Sequence, residues 1–201
     1  MKRGLILAMV LCGAHGTALA VDAASNAANT AANNAAVVID SRYSSSGSFL
    51  PAVNAARDAA AGFALSRAML TNVVAKHCAQ IDVAHALRAD EARNRWWQHN
   101  EGAVGAAKGY VQLQRAIVQV KQGEAAATQY RDGVMAQAKA DAIATMESWF
   151  PEGEQDGATC DKVVDEYFAG TRDIGSNEEF GTVLGRLEGD MQAYRDAQST
   201  E

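Results

Sequence analysis

Apolar residues recur at three- and four-residue steps along most of the chain, and the last such stripe is the most regular. Its members are Phe180, Val183, Leu184, Leu187, Met191 and Tyr194. This spacing places them on one face of an α-helix. Immediately before the stripe, Ser176-Asn177-Glu178-Glu179 has the Ser-x-x-Glu form of a capping box, which predicts that the helix begins at Ser176.

A first helical region is predicted from Leu50-Pro51 to about Cys78. Proline suits the first turn of a helix, because the N–H that it lacks has no intrahelical partner there. The apolar positions of this region are Phe63, Leu70, Val74, His77 and Ile81. Gly62 is a point at which the region would divide into two pieces.

A long second helix is predicted from about Asp82 to Gln122, because two apolar stripes run along it. One stripe repeats every seven residues and comprises Trp97, Val104, Val111 and Val118, and the other comprises Tyr110, Leu113, Ile117 and Val120. Two stripes indicate a central helix that is contacted on more than one side. Gly102, Gly105 and Gly109 interrupt it, and they either form a smooth ridge for a neighbouring helix or mark a kink near Asn100.

Turn-forming residues divide the remainder of the chain. Gly123 is expected to end the long helix, and Pro151 to end a further helix that starts at Glu124. Thr159 is the predicted N-cap of a short helix that Gly170 terminates. No stretch shows the alternation of a strand. The fold predicted is therefore all-α, an irregular bundle of four to six helices closed by one disulfide.

The first 20 residues have the pattern of a secretory signal peptide. Lys2 and Arg3 precede an apolar run, and Ala18-Leu19-Ala20 provides small residues where a signal peptidase cleaves, which predicts cleavage between Ala20 and Val21. The run is shorter than the roughly 20 residues that a membrane anchor needs. The alternative is lipidation at Cys12, although the residue before it is leucine rather than a small residue. We expect a periplasmic or secreted protein without a transmembrane anchor.

The predicted mature chain has two parts. Residues 21–48 are rich in Ala, Asn and Ser, carry little apolar surface to bury, and are expected to form a flexible low-complexity tail and linker. A brief apolar patch at residues 36–40 is expected to be a short extended segment that docks on the body. Residues 49–201 are expected to form a single helical domain, which is long enough to bury a sizeable core.

Cysteine number supports a disulfide. Cleavage would remove Cys12 and leave Cys78 and Cys160, an even pair in an oxidising compartment. The bond would close a loop of about 80 residues and stabilise the fold by about 4–5 kcal/mol in the chain-entropy model. No Cys-x-x-Cys pair indicates redox catalysis. Two free thiols are the alternative, if the fold holds the cysteines apart.

Charge narrows the range of partners. The formal net charge of the whole chain is −6, and loss of the leader with Lys2 and Arg3 makes the mature protein more negative still. An acidic chain without a basic tract does not fit nucleic acid or an anionic membrane surface. Abundant alanine and only two prolines favour helix.

Candidate catalytic and metal-binding chemistry is sparse. The mature chain keeps His77, His85 and His99, but His77 falls on an apolar stripe, and a metal site needs three or four converging ligands. The Cys-x-x-Cys-His motif for haem attachment is absent, as are nucleophile elbows. We expect no enzyme activity, no metal and no cofactor.

The most unusual stretch is residues 93–100, which contains two adjacent tryptophans. Trp97 continues the seven-residue stripe and is expected in the core. Trp96 points about 100° away from it, so it either packs between helices or lies exposed beside Arg93 and His99 as a partner-binding surface.

These observations favour an exported, non-enzymatic helical protein that binds another protein in the cell envelope or outside the cell. Its role would be that of an accessory factor, a chaperone-like protein, or an inhibitor or immunity protein. The alternative is a carrier of a small ligand or lipid with a cavity between the helices.

Overall fold

The computed structural model describes residues 53–151 and 156–199. In these residues the chain forms five α-helices and one 3-10 helix, and it forms no strand. The helices are α1 (Ala55–Cys78), α2 (Val83–Gln122), α3 (Glu124–Trp149), α4 (Gly157–Phe168) and α5 (Glu178–Gln198), and the 3-10 helix spans Ile174–Ser176. The predicted all-α bundle is thereby confirmed. The predicted signal peptide, the tail and the segment at 36–40 lie outside the described residues.

Aspartate and asparagine begin four of the five helices. The side chains of Asn54, Asp82, Asp156 and Asn177 each accept a hydrogen bond from a backbone N–H in the first turn of α1, α2, α4 and α5. Such caps satisfy N–H groups that have no partner within the helix.

Three predicted helix starts are wrong by a few residues. Helix α1 begins at Ala55 rather than near Pro51. Thr159 is not the cap of α4, because the Asp156 carboxylate accepts from both Ala158 and Thr159. Ser176 is not the cap of α5, because its hydroxyl donates back to carbonyls of the preceding turn and leaves the cap position to Asn177.

The glycines of α1 and α2 do not interrupt these helices. Helix α1 runs unbroken through Gly62, and α2 runs unbroken for 40 residues. A Cβ at Gly102 would meet the Glu188 side chain, and one at Gly109 would lie 2.9 Å from Cε of Met191. Gly102 and Gly109 therefore lie where α5 approaches α2, as the ridge alternative expects, whereas a Cβ at Gly105 would meet nothing within 4 Å.

Helix α2 is the centre of the bundle, since it packs against all four other helices. Much of the interior is alanine, for example Ala60, Ala64 and Ala107, which are fully buried. Small side chains allow helix axes to approach closely. The bulkiest fully buried side chains are Trp96, Tyr110, Leu70 and Ile174.

The predicted disulfide between Cys78 and Cys160 is confirmed. It joins the C-terminus of α1 to the first turn of α4, with a Cα–Cα distance of 5.7 Å. Both cysteines are fully buried. The bond therefore anchors the short helix α4, which has few residues of its own to bury, to the main bundle.

Among the residues described, no helix combines the length and the apolar character that a membrane span requires.

Candidate functional site

Trp96 is buried completely and does not contribute to the protein surface. Its exposed fraction is 0%, and its indole Nε1 donates to the backbone carbonyl of Arg172 at 3.0 Å. Its ring meets that of Trp97 edge to face, with centroids 5.6 Å apart. The interpretation of Trp96 as an exposed partner-binding residue is therefore wrong, and its packing interpretation is correct. Trp97, expected in the core, is only partly buried against it.

Asn100 connects α2 to the segment between α4 and α5. Its side-chain amide donates to the Trp96 carbonyl and to Oδ1 of Asp173, both at 2.8 Å. Its Oδ1 accepts from the backbone N–H of Ile174 at 2.7 Å. Because Asn100 is buried, these bonds offset the loss of hydration. Residues 96–100 thus form the docking platform for residues 172–174.

Arg93 and His99 stay near the surface and make local polar contacts. Arg93 forms an ion pair with Asp90 one turn earlier. His99 Nδ1 lies 3.2 Å from Oδ2 of Asp173, and its side chain is 46% exposed. A role for either residue in partner binding stays a prediction.

His77 and His85 each make contacts of their own. The His77 ring packs on the Phe150 ring with centroids 4.3 Å apart. His85 Nδ1 lies 2.8 Å from Oδ1 of Asp82, and its ring lies beside Gly157 at the start of α4. Within the part of the chain that is described, no three His, Cys, Asp or Glu side chains are grouped so as to hold a metal ion.

A polar cluster links the start of α1 to the C-terminal half of α2. The Tyr110 hydroxyl donates to Oδ1 of Asp58 at 2.8 Å, and Gln114 Nε2 donates to the same oxygen. Burial raises the pKa of Asp58, although both hydrogen bonds oppose this shift. Burial also raises the pKa of Tyr110, and the nearby Asp58 carboxylate raises it further. The tyrosine thus stays protonated and serves as a donor.

An exposed apolar pair lies at the start of α2. Val83 is 75% exposed and Leu87 is 69% exposed. They are four residues apart and therefore adjacent on one helix face. The opposite face carries buried Ala89, Ala92 and Trp96. The sequence analysis did not identify this pair, because the spacing of Val83 and Leu87 does not distinguish them from core positions.

An open depression lies on the outer surface of α4. Its charged lining includes Asp161, Asp165, Glu166 and Lys162. Arg88 of α2 donates to Asp161 at 2.5 Å and also to Asp165. Its positive charge therefore offsets part of the negative charge of this surface.

Comparison with known proteins finds no match. No protein-family model matches the chain, and no curated protein and no solved structure resembles it significantly.

Proposed function

We propose that this chain is an exported, non-enzymatic protein that acts by binding another protein in the cell envelope or outside the cell. The export proposal rests on the leader sequence and is supported by the disulfide, which is typical of oxidising compartments. The binding proposal rests on the exposed pair Val83 and Leu87.

The pair is the observation that carries the binding proposal. Fully burying one such side chain contributes about 1.5–3 kcal/mol, and both point away from the bundle. A partner with an apolar recess would cover them. Surface leucines and valines that are scattered singly need no such explanation, but these two are adjacent and project from the same helical turn.

The helix turn that presents the pair is held rigidly. Asp82 caps α2 by accepting from the backbone N–H of His85 at 2.9 Å. The disulfide fixes Cys78, four residues before that cap. Arg88, next to Leu87, is bonded to two carboxylates of α4. A preorganised surface loses less conformational entropy on association.

Exposed carboxylates surround the pair. Asp82, Asp90 and Glu91 are exposed on the same end of α2. They favour a partner that places lysine or arginine around its apolar recess, in keeping with the acidic charge of the whole chain.

Site-specific photo-cross-linking in living cells tests the proposal. A photoreactive phenylalanine analogue replaces Leu87 in the full chain, and the cells are irradiated. We expect a defined covalent adduct with one protein of the envelope or medium, and we expect Val83→Asp to abolish that adduct because it places a charge in the apolar contact.

Val120 provides the matched control. Val120 is 86% exposed near the other end of α2, and no other large apolar side chain on that turn is exposed. The analogue at Val120 should give no such adduct, and Val120→Asp should leave the Leu87 adduct intact. Equal adducts from both positions, or an adduct that survives Val83→Asp, would reject the pair as the binding surface.

A further inference from the structure

The C-terminal turns of α2 lie beside the point where the chain enters α1. Residues 79–82 join the two helices, and so short a connection makes them antiparallel neighbours. At the start of α1 the backbone N–H of Asn54 donates to the Tyr110 hydroxyl at 3.4 Å. Helix α2 runs on from Tyr110 to Gln122. The chain that leads into α1 therefore arrives next to these last turns of α2.

These turns carry an apolar face that is only half covered. Leu113 and Ile117 are four residues apart and therefore share one face of α2. Both are half-buried, and in the part of the chain that is described neither packs against the buried core as Val53 does. They follow Tyr110 by three and seven residues, which is about 4.5 and 10.5 Å along the helix axis. A segment that covers this face therefore has to lie close to the start of α1.

Two large apolar side chains precede α1 at a matching distance. Phe49 and Leu50 come five and four residues before Asn54. Asn54 is extended, with φ −156° and ψ 162°, and Pro51 disfavours helical geometry at the residue before it. An extended chain advances about 3.3 Å per residue, so the two side chains reach about 13–17 Å from Asn54. That reach includes the whole of the half-covered face of α2.

The rest of the N-terminal segment fits this face less well. Residues 40–48 contain one large apolar side chain, that of Tyr43, among aspartate, serine, arginine and glycine. The apolar patch at residues 36–40 lies at least fourteen residues before Asn54, and a longer loop costs more entropy to close. Phe49 and Leu50 are thus the nearest large apolar side chains that precede the described residues.

We propose that Phe49 and Leu50 pack on Leu113 and Ile117 and so bind the N-terminal segment to the C-terminal end of α2. The removal of apolar surface from water on both sides of the contact drives this packing. Ile117 lies 30 residues along α2 from Leu87, or about 45 Å. The docked segment therefore leaves the exposed apolar pair at the start of α2 uncovered, and the contact does not depend on the proposed function.

Photo-cross-linking of the purified full chain tests the contact. A photoreactive phenylalanine analogue replaces Phe49, an aromatic residue for an aromatic one, and the irradiated protein is digested and mapped by mass spectrometry. We expect the analogue to attach to residues 113–117. Chains with light and heavy isotopes are mixed before irradiation, so attachment within one chain gives products of a single label. Mixed-label products at this face would identify a second copy as the occupant and overturn the proposal.

Tyr43 provides the matched control, because it is also aromatic and lies six residues further from α1 than Phe49 does. The analogue at Tyr43 should attach to residues 113–117 severalfold less. Ile117→Asp should abolish the Phe49 adduct, because it places a charge in the apolar contact. Gln112→Asp, at an exposed position of the same helix, should leave the adduct intact. Equal attachment from both aromatic positions, or an adduct that survives Ile117→Asp, rejects the contact.

Amide hydrogen exchange provides a second measurement that needs no substitution within α2. Thermal unfolding first establishes that each variant is folded. Phe49→Ser/Leu50→Ser should accelerate exchange in residues 113–120 severalfold, because it removes the apolar cover. Val37→Ser/Val38→Ser, which changes the other apolar patch of the segment, should leave that exchange unchanged. Acceleration by the second pair of substitutions alone would identify residues 36–40 as the occupant and overturn the proposal, and no acceleration by either pair rejects the docking.

Discussion

Buried polar side chains join segments of this protein that are far apart in the sequence. Asn100 on α2 bonds to residues 173 and 174 through both ends of its amide. The indole of Trp96 reaches the carbonyl of Arg172 in the same segment. The pattern of apolar positions assigned Trp97 to the core, although Trp97 is only partly buried. The same pattern contains no information about where a hydrogen-bonding partner lies. The burial of Trp96 could therefore be offered only as one of two alternatives.

Asp58 makes stability depend on pH in a direction that can be tested. Burial raises its pKa above the ordinary value of 3.8, so the folded state binds its proton more tightly than the unfolded chain does. By linkage, the contribution of Asp58 to stability is largest below that ordinary value and falls as the pH rises through the raised pKa. The variant Asp58→Asn lacks this titration.

Urea unfolding of the wild type and of Asp58→Asn between pH 3.5 and pH 7 measures the effect. We expect the wild-type free energy of unfolding, relative to that of the variant, to decrease as the pH rises. Hydrogen bonds lower the pKa values of capping groups such as Asp82 and Asp156. Both proteins contain these groups, so their contribution cancels when one free energy of unfolding is subtracted from the other. A difference that is constant, or that increases with pH, contradicts the raised pKa.

At the scale of elements, the helices were predictable, whereas three of their five starts were displaced. Apolar periodicity and turn-forming residues together located all five helices, and Gly123 and Gly170 do have the positive φ angles expected where helices end. The N-caps of α4 and α5 were displaced by three residues and one residue, because Thr159, Ser176 and their neighbours are all acceptable caps by sequence. The choice depends on tertiary contacts, such as the bonds that occupy the Ser176 hydroxyl.

Two glycines on helices provide a matched test of helix packing. A Cβ at Gly105 meets nothing within 4 Å, whereas one at Gly181 would lie 3.1 Å from the carbonyl oxygen and 3.3 Å from the Cα of Gly175. We expect Gly105→Ala to raise the free energy of unfolding by about 0.5–1 kcal/mol, because alanine favours helix. Gly181→Ala should gain less or lose stability, since backbone atoms obstruct it.

Chemical denaturation of both variants checks this expectation. If Gly181→Ala is stabilised as much as Gly105→Ala, then α5 does not approach the 3-10 helix as closely as the structure indicates. If Gly105→Ala is destabilised, the surface of α2 around Gly105 is covered rather than open.

At the scale of the whole molecule, the disulfide is one of several contacts that hold α4 on the bundle. The all-α class followed from helical periodicity, and the cysteine pairing followed from the two cysteines that the predicted cleavage would leave. The exposure of Val83 and Leu87 could not be predicted from the sequence, because apolar residues at this spacing are equally typical of a buried helix face. Only the packing of α2 against its four neighbours shows which of its faces remains open.

Loss of the disulfide should therefore weaken the whole domain rather than one helix. The bond spans 82 residues of sequence, and closing a loop of that length stabilises a fold by about 4–5 kcal/mol in the chain-entropy model. We expect Cys78→Ala/Cys160→Ala to lower the free energy of unfolding by roughly this amount. Intact mass and thiol titration of the wild-type protein first establish that the bond is formed.

The contacts around α4 determine whether removal of the disulfide destabilises the whole domain or this helix alone. Trp96 and Asn100 bind the segment after α4, and Arg88 binds two of its carboxylates. These contacts remain when the bond is absent, so α4 should stay docked and unfolding should remain a single transition with a lower midpoint. Amide hydrogen exchange of the double variant distinguishes the cases. Exchange in α4 well ahead of α1 and α2 would show that the disulfide alone holds this helix in place.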